Sequence, residues 1–274
     1  MSSPVITFTT DYGLRDGFVG VCHGVIARGC PEARVIDLGH EIPAHDIRAG
    51  ALLLRASIEY FVADAVHLAV VDPGVGTARR AIALATGSGT RFVGPDNGLL
   101  APAADACGGI AEAADIGDSP FALRPISATF HGRDVFAPVA AALACGRPLS
   151  DVGEPIDPAS VAALELTRAV RDGDVLVAHV QYIDQFGNVQ LDAEASQVER
   201  FGDVPQLQVS SDAWDRPPLE VRGGVTFGEV QAGELLLYED SHRRPAIAVN
   251  RGSAAERLGV GVGDELRIAP AGQR

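Results

Sequence analysis

The sequence has no lysine; all 22 basic residues are arginine. That removes every chemistry needing a lysine amine: Schiff bases, pyridoxal phosphate attachment and the phosphate-binding lysine of a Walker A loop. Methionine and tryptophan occur once each, and aromatic residues make up only 5%. Positive charge is scarce, with 22 Lys+Arg against 36 Asp+Glu and a formal charge of −14. Nucleic-acid backbones and anionic membranes repel such a chain, so neither is expected as a partner. A cationic small molecule remains compatible. No apolar run approaches the ~20 residues of a membrane span. Residues 1–10 lack the basic start and apolar stretch of a signal peptide. The four cysteines, Cys22, Cys30, Cys107 and Cys145, form no CxxC pair. Neither a zinc ribbon nor a redox motif is therefore present. These absences set the expectation of a cytoplasmic protein with reduced thiols.

What is present reads as a globular protein of one large or two smaller domains, with 47% hydrophobic residues in 274. The first half alternates strand and helix patterns. Residues 5–9, 34–38 and 66–71 are apolar and β-branched; residues 17–28, 46–61 and 135–145 read as helices. Asp46 is a plausible N-cap. Residues 81–86 and 91–93, joined by Gly87-Ser88-Gly89-Thr90, form a hairpin signal. This predicts an α/β domain over residues 1–160, with a mostly parallel sheet and flanking helices. Beyond residue 170 the pattern changes to short strands separated by turn residues. A smaller antiparallel β domain, barrel-like, is expected over residues 170–274.

Ligands of open α/β sheets bind beyond the carboxyl ends of strands. Polar clusters stand there: Thr10-Asp11 after the first strand, Asp72-Pro73-Gly74 with Arg79 and Arg80 after the third, Asp96-Asn97-Gly98 after the hairpin. Phe130-His131-Gly132-Arg133-Asp134 precedes the Ala-rich helix. Each has an ordinary structural use as a cap, a turn or a satisfied histidine. Together, a carboxylate, a guanidinium and an imidazole can orient and polarise a water and take its proton. Other patterns fail. The third glycine of a dinucleotide loop would fall at Arg79. Asp37, His40, His45 and Asp46 match no metal-ligand spacing. Glu239-Asp240 with His242-Arg243-Arg244 reads as a solvated turn.

Six segments in order resemble the S-adenosyl-L-methionine (SAM) hydroxide adenosyltransferases. They are Thr10-Asp11-Tyr12-Gly13-Leu14-Arg15-Asp16, Val71-Asp72-Pro73-Gly74-Val75-Gly76-Thr77, Val93-Gly94-Pro95-Asp96-Asn97-Gly98-Leu99, Phe130-His131-Gly132-Arg133-Asp134-Val135-Phe136, Asp184-Gln185-Phe186-Gly187-Asn188 and Ile247-Ala248-Val249-Asn250-Arg251-Gly252-Ser253. The family hydrolyses SAM to adenosine and methionine and is related to the SAM-dependent fluorinase and chlorinase. The resemblance implies a homotrimer with sites at subunit interfaces, SAM as substrate, and no cofactor or metal. It places the catalytic triad on Asp72, Arg79 and His131, and the ribose contact on Asp11. Asp184 and Ser241 fall on the methionine end, Asn188 and the backbone near Arg251 on adenine contacts, and Phe186 among the substrate-binding residues. The carboxylate of Asp72 should repel a halide, which favours water over the halogenase alternative. A second alternative is a SAM- or adenosine-binding protein without turnover. Two departures fall in the C-terminal half: Gln190-Leu191-Asp192 stands where a Thr-Asn pair is usual, and Thr226-Phe227-Gly228-Glu229-Val230 where Tyr-Ser-Asp is usual.

Overall fold

The computed structural model describes residues 3–199, 201 and 206–271. The chain divides into two compact units, Met1–Leu164 and Glu165–Arg274.

The first unit runs β1 (Val5–Thr10), α1 (Phe18–Gly29), β2 (Arg34–Gly39), α2 (Ile47–Ser57), β3 (Val66–Val70), β4 (Ala81–Thr86) and β5 (Arg91–Pro95). It continues with α3 (Ala101–Ala106), β6 (Ile110–Asp115), a π turn (Gly132–Phe136), α4 (Ala137–Ala144), α5 (Leu149–Val152) and β7 (Glu154–Ile156). The strands form one seven-stranded sheet in the order β2-β1-β3-β5-β4-β6-β7. The pairs β2–β1, β1–β3 and β3–β5 are parallel, whereas β4, β6 and β7 pair antiparallel. The β4–β5 pairing is the hairpin expected from the Gly-Ser-Gly-Thr turn. β3 is buried at all five positions, as a strand covered on both faces must be. One face packs Phe8, Phe136 and Ile26 under α1 and α4; the other packs Phe92, Leu84 and Leu54 under α2 and α3. Each such side chain removed from water contributes ~1.5–3 kcal/mol before entropy is counted. At α2, the Asp46 carboxylate accepts from Ala49 N at 2.9 Å, the N-cap its position suggested.

The second unit runs β8 (Val170–Asp172), β9 (Val175–Ile183), β10 (Val189–Leu191), α6 (Ala195–Glu199), β11 (Leu207–Ser210), β12 (Leu219–Gly223), β13 (Leu235–Glu239), β14 (Pro245–Val249), α7 (Ala254–Leu258) and β15 (Glu265–Pro270). Its strands follow the order β10-β14-β13-β12-β11-β15-β9, and β10 pairs back onto β9. Seven strands thus close a barrel, with β8 added outside on β9. Closure leaves the barrel strands no free edge among themselves. The pairing is antiparallel apart from β12–β13.

One expectation is corrected. Cys30 and Cys145 form a disulfide, with Cα atoms 5.7 Å apart and a sequence separation of 115. The thiols are therefore not all reduced. Packing of α1 against α4 brings the two cysteines together; at Gly29 an added Cβ would lie 2.9 Å from Ala141 Cβ. Cys22 and Cys107 are free. Glu32 offers an oxygen within 4.8 Å of both bonded sulfurs, the one such grouping among the described residues. Sulfurs bonded to each other supply no thiolate to a metal. No helix among the described residues is long and apolar enough to cross a membrane.

Candidate active site

The order β2-β1-β3 means the chain leaves β1 in one direction and later adds β3 on its other side. The crevice beyond the carboxyl ends of two such strands is where α/β sheets bind ligands. Thr10 is paired with Val70 across the two strands, so Asp11 and Asp72 follow neighbouring strand ends. The Asp11 loop is pinned to the segment after β2. Gly13 N donates to His40 O at 2.7 Å, Leu14 N to Glu41 Oε1 at 3.1 Å, and His45 N to Asp11 Oδ2 at 2.9 Å. Behind it, Thr10 Oγ1 lies 2.8 Å from His40 Nδ1, and Asp37 Oδ1 lies 2.9 Å from His40 Nε2 and 2.8 Å from His23 Nε2. Asp37, His40 and His45 thus serve this loop.

After β3 the chain turns through Gly74 and Gly76. Gly76 has φ +76° and meets the Ala128 carbonyl so closely that a Cβ would overlap its oxygen. That contact draws the Asp72 turn against the segment carrying His131. Arg79 reaches back over the turn: Nε donates to Asp72 Oδ1 at 2.8 Å and Nη2 donates to Oδ2. Both side chains are nearly buried, 10% and 6% exposed. The guanidinium also lies 5.2 Å over the Phe136 ring. Nη2 stands 3.2 Å from His131 Nδ1. Because arginine can only donate, Nδ1 is the acceptor and the imidazole proton sits on Nε2. Burial and the Arg79 charge lower the His131 pKa, against the opposing pull of Asp72 and Asp134. Nη1 of Arg79 is buried without a hydrogen-bond partner.

The segment before the π turn is organised by Asp134. Its carboxylate accepts from Ser127 N at 2.8 Å and from Arg133 Nε at 2.7 Å. Burial raises its pKa, but these bonds outweigh that and hold it below the usual carboxylate value. Asp96 and Asn97 act as braces. Asp96 accepts from Arg80 Nε at 2.7 Å and Ala162 N at 2.8 Å, and Asn97 Nδ2 donates to Val71 O at 2.9 Å.

In the second unit, a cavity of about 840 Å³ is lined by Asp184, Phe186, Asn188, Ser241 and Arg251, all singled out in the sequence. Asp184 is the organiser of a turn. Its Oδ1 accepts from Phe186 N and Asn188 N, both at 2.9 Å, and its Oδ2 from Asn188 Nδ2 at 2.7 Å. Phe186 is therefore held outward, 69% exposed. Arg251 has φ +60°, in the left-handed region. Asp240, His242 and Gln190 also line the cavity. Asp240 accepts from Gln190 Nε2 at 2.6 Å and from the His242 and Arg244 amides at 2.8 and 2.9 Å. The expected solvated turn is thus part of the cavity wall. Alternating strand residues near a barrel mouth were the signal that could have found it. Asp11, Asp72, Arg79 and His131 lie in the first unit; Asp184, Phe186, Asn188, Ser241 and Arg251 lie in the second.

Comparison with known proteins agrees with this division. The profile of the SAM hydroxide adenosyltransferase N-terminal domain matches residues 6–153, and that of the C-terminal domain matches residues 178–267. A protein of Salinispora tropica named (R)-S-adenosyl-L-methionine hydrolase is 50% identical over 266 residues, covering 97% of this chain and 98% of that protein. One of the same name from Thermus thermophilus is 38% identical over 278 residues, with 96% and 98% covered. A fluorinase of an Actinoplanes species is 26% identical over 299 residues, with 98% of each covered. The crystal structure of a conserved protein from Thermotoga maritima superposes with a TM-score of 0.89 at 37% identity, covering 96% of this chain and 99% of that one.

Proposed function

This chain belongs to the SAM hydroxide adenosyltransferase family, and from that premise we propose that it hydrolyses S-adenosyl-L-methionine to adenosine and L-methionine. The observation that carries the reading is the Asp72–Arg79–His131 cluster at the carboxyl ends of β1 and β3. SAM is a sulfonium cation. Water attacks the ribose 5′ carbon in line; the O–C5′ bond forms, the C5′–S bond breaks and the electron pair goes to sulfur. The leaving thioether is neutral, so no acid is needed there. The demand falls on the water, which must be aimed and relieved of a proton.

In this proposal Asp72 accepts that proton. The fork from Arg79 keeps its carboxylate in one orientation. The water oxygen keeps a lone pair aimed at the ribose carbon. His131, proton on Nε2, closes the other side. Holding reactants in this way is worth ~7–11 kcal/mol in favourable cases. Asp11 takes the ribose hydroxyls, and the second-unit cavity takes the methionine and adenine ends. No cofactor enters the proposal, so a chelator should leave the rate unchanged. The proposed form is a homotrimer that completes its site across subunits; light scattering of the purified protein tests the trimer.

The alternative of a halogenase is disfavoured by Asp72, whose charge would repel a halide beside the attack path. Mass detection of products formed from SAM in ¹⁸O-labelled water, with and without chloride, decides between the readings. Labelled adenosine is expected, and Asp72→Asn should lower kcat by about 10²–10⁴-fold, with a lower Tm as well because the nearly buried Arg79 charge loses its partner. A chlorinated nucleoside, or SAM bound but unchanged, would sink the hydrolase reading.

A further inference from the structure

Tyr12 follows Asp11 directly, yet its side chain does not share the aspartate's direction. Its ring lies 5.9 Å from Phe18 and edge-on to Phe130 at 5.7 Å, and those two rings meet edge-on at 5.1 Å. Its hydroxyl seats against Gly132, the first residue of the π turn and the one after His131. A Cβ at Gly132 would overlap the hydroxyl oxygen and stand 3.1 Å from Cζ. Gly132 has no left-handed backbone and is buried, so room for Tyr12, not conformational freedom, calls for glycine there. Burial, with the neighbouring Cys22, Asp11 and Asp72, pushes the phenol pKa well above its ordinary value despite Arg79. Tyr12 therefore stays neutral at any working pH.

We propose that Tyr12 is a positioning residue for His131: its ring and hydroxyl form the stop against which Gly132 seats, and this sets His131 at its distance from the Arg79–Asp72 pair. A phenylalanine would supply the ring but not the last oxygen that reaches Gly132. The inference rests on the reading of His131 as a member of the active site and adds what holds it there.

The test uses Tyr12→Leu, Gly132→Ala and the pair Tyr12→Phe/Gly132→Ala. It reads kcat, KM, Tm and the His131 titration by NMR in protein without SAM. The charges facing His131 are Arg79, which lowers its pKa, and Asp72 and Asp134, which raise it. With the stop removed, water enters and Arg79 recedes, so the His131 midpoint should rise toward 6.5. Tyr12→Leu should lose kcat by about tenfold or more with KM within about threefold. Gly132→Ala should lose as much. The pair should regain about fivefold over Gly132→Ala, because the oxygen that the new methyl meets is gone. A folded Tyr12→Leu with normal kcat and an unmoved His131 would overturn the proposal. So would a pair no better than Gly132→Ala, a comparison that holds even if Tyr12→Leu fails to fold. If the wild type turns over no SAM, the function proposed above fails, and the His131 titration in Gly132→Ala and in the pair still decides this inference.

Discussion

The Arg79–His131 contact works only with a neutral imidazole, because a proton on Nδ1 would set two N–H groups against each other. Burial and Arg79 place the His131 pKa below 6.5. Activity should therefore hold through neutral pH and fall on an acid limb below 6.5; a kcat–pH profile with its acid midpoint at or above 6.5 would assign that limb to another group. His67 makes a separate statement about stability. It is 1% exposed, lies 2.7 Å from Thr7 Oγ1 and stacks on Phe92 at 5.1 Å. Burial lowers its pKa to about 4. The unfolded chain then binds a proton that the folded chain refuses. The contribution is fully present above about 6.5 and is lost as pH falls toward 4, in all ~3 kcal/mol. Urea melts at several pH values should show this component in the wild type and lack it in His67→Leu.

Among the elements, α2 shows how closely a local signal can match the structure. Asp46 caps it, and Gly50 in its first turns comes so near that an added Cβ would stand 2.9 Å from Leu99 and from Val71. Asp46→Ala should cost ~1 kcal/mol of stability, seen as a lower denaturation midpoint with unchanged slope; no change would mean the cap is not formed. The helix expected over residues 135–145 instead begins as a π turn at Gly132 and becomes regular at Ala137. Spacing along an Ala-rich run cannot show that extra residue per turn. It arises where His131 and Phe136 must both face Arg79, and π turns often occur at such functional positions.

At the scale of the molecule, the disulfide is the largest unforeseen feature. Tying residues 115 apart reduces the freedom of the unfolded chain, worth ~5 kcal/mol in the chain-entropy account. Treatment with a dithiol, or Cys145→Ser, should lower Tm by ~10 °C; equal melting points with and without reductant would show that the bond contributes nothing in solution. The result also bears on compartment, since a reducing cytoplasm opposes such a bond.

The strand–helix alternation, the Gly87–Thr90 hairpin and the change to short strands after residue 170 were legible because hydrophobic periodicity and turn chemistry are local properties. The placement of Asp11 and Asp72 beyond strand ends followed from the same reading. Tertiary structure alone decided which strand ends are neighbours. It joined Cys30 to Cys145, bent the Asp184 carboxylate into its own turn and set the Tyr12 hydroxyl on Gly132. Each of these depends on groups brought together by packing across many residues of chain, and no pattern within a window of sequence records that distance.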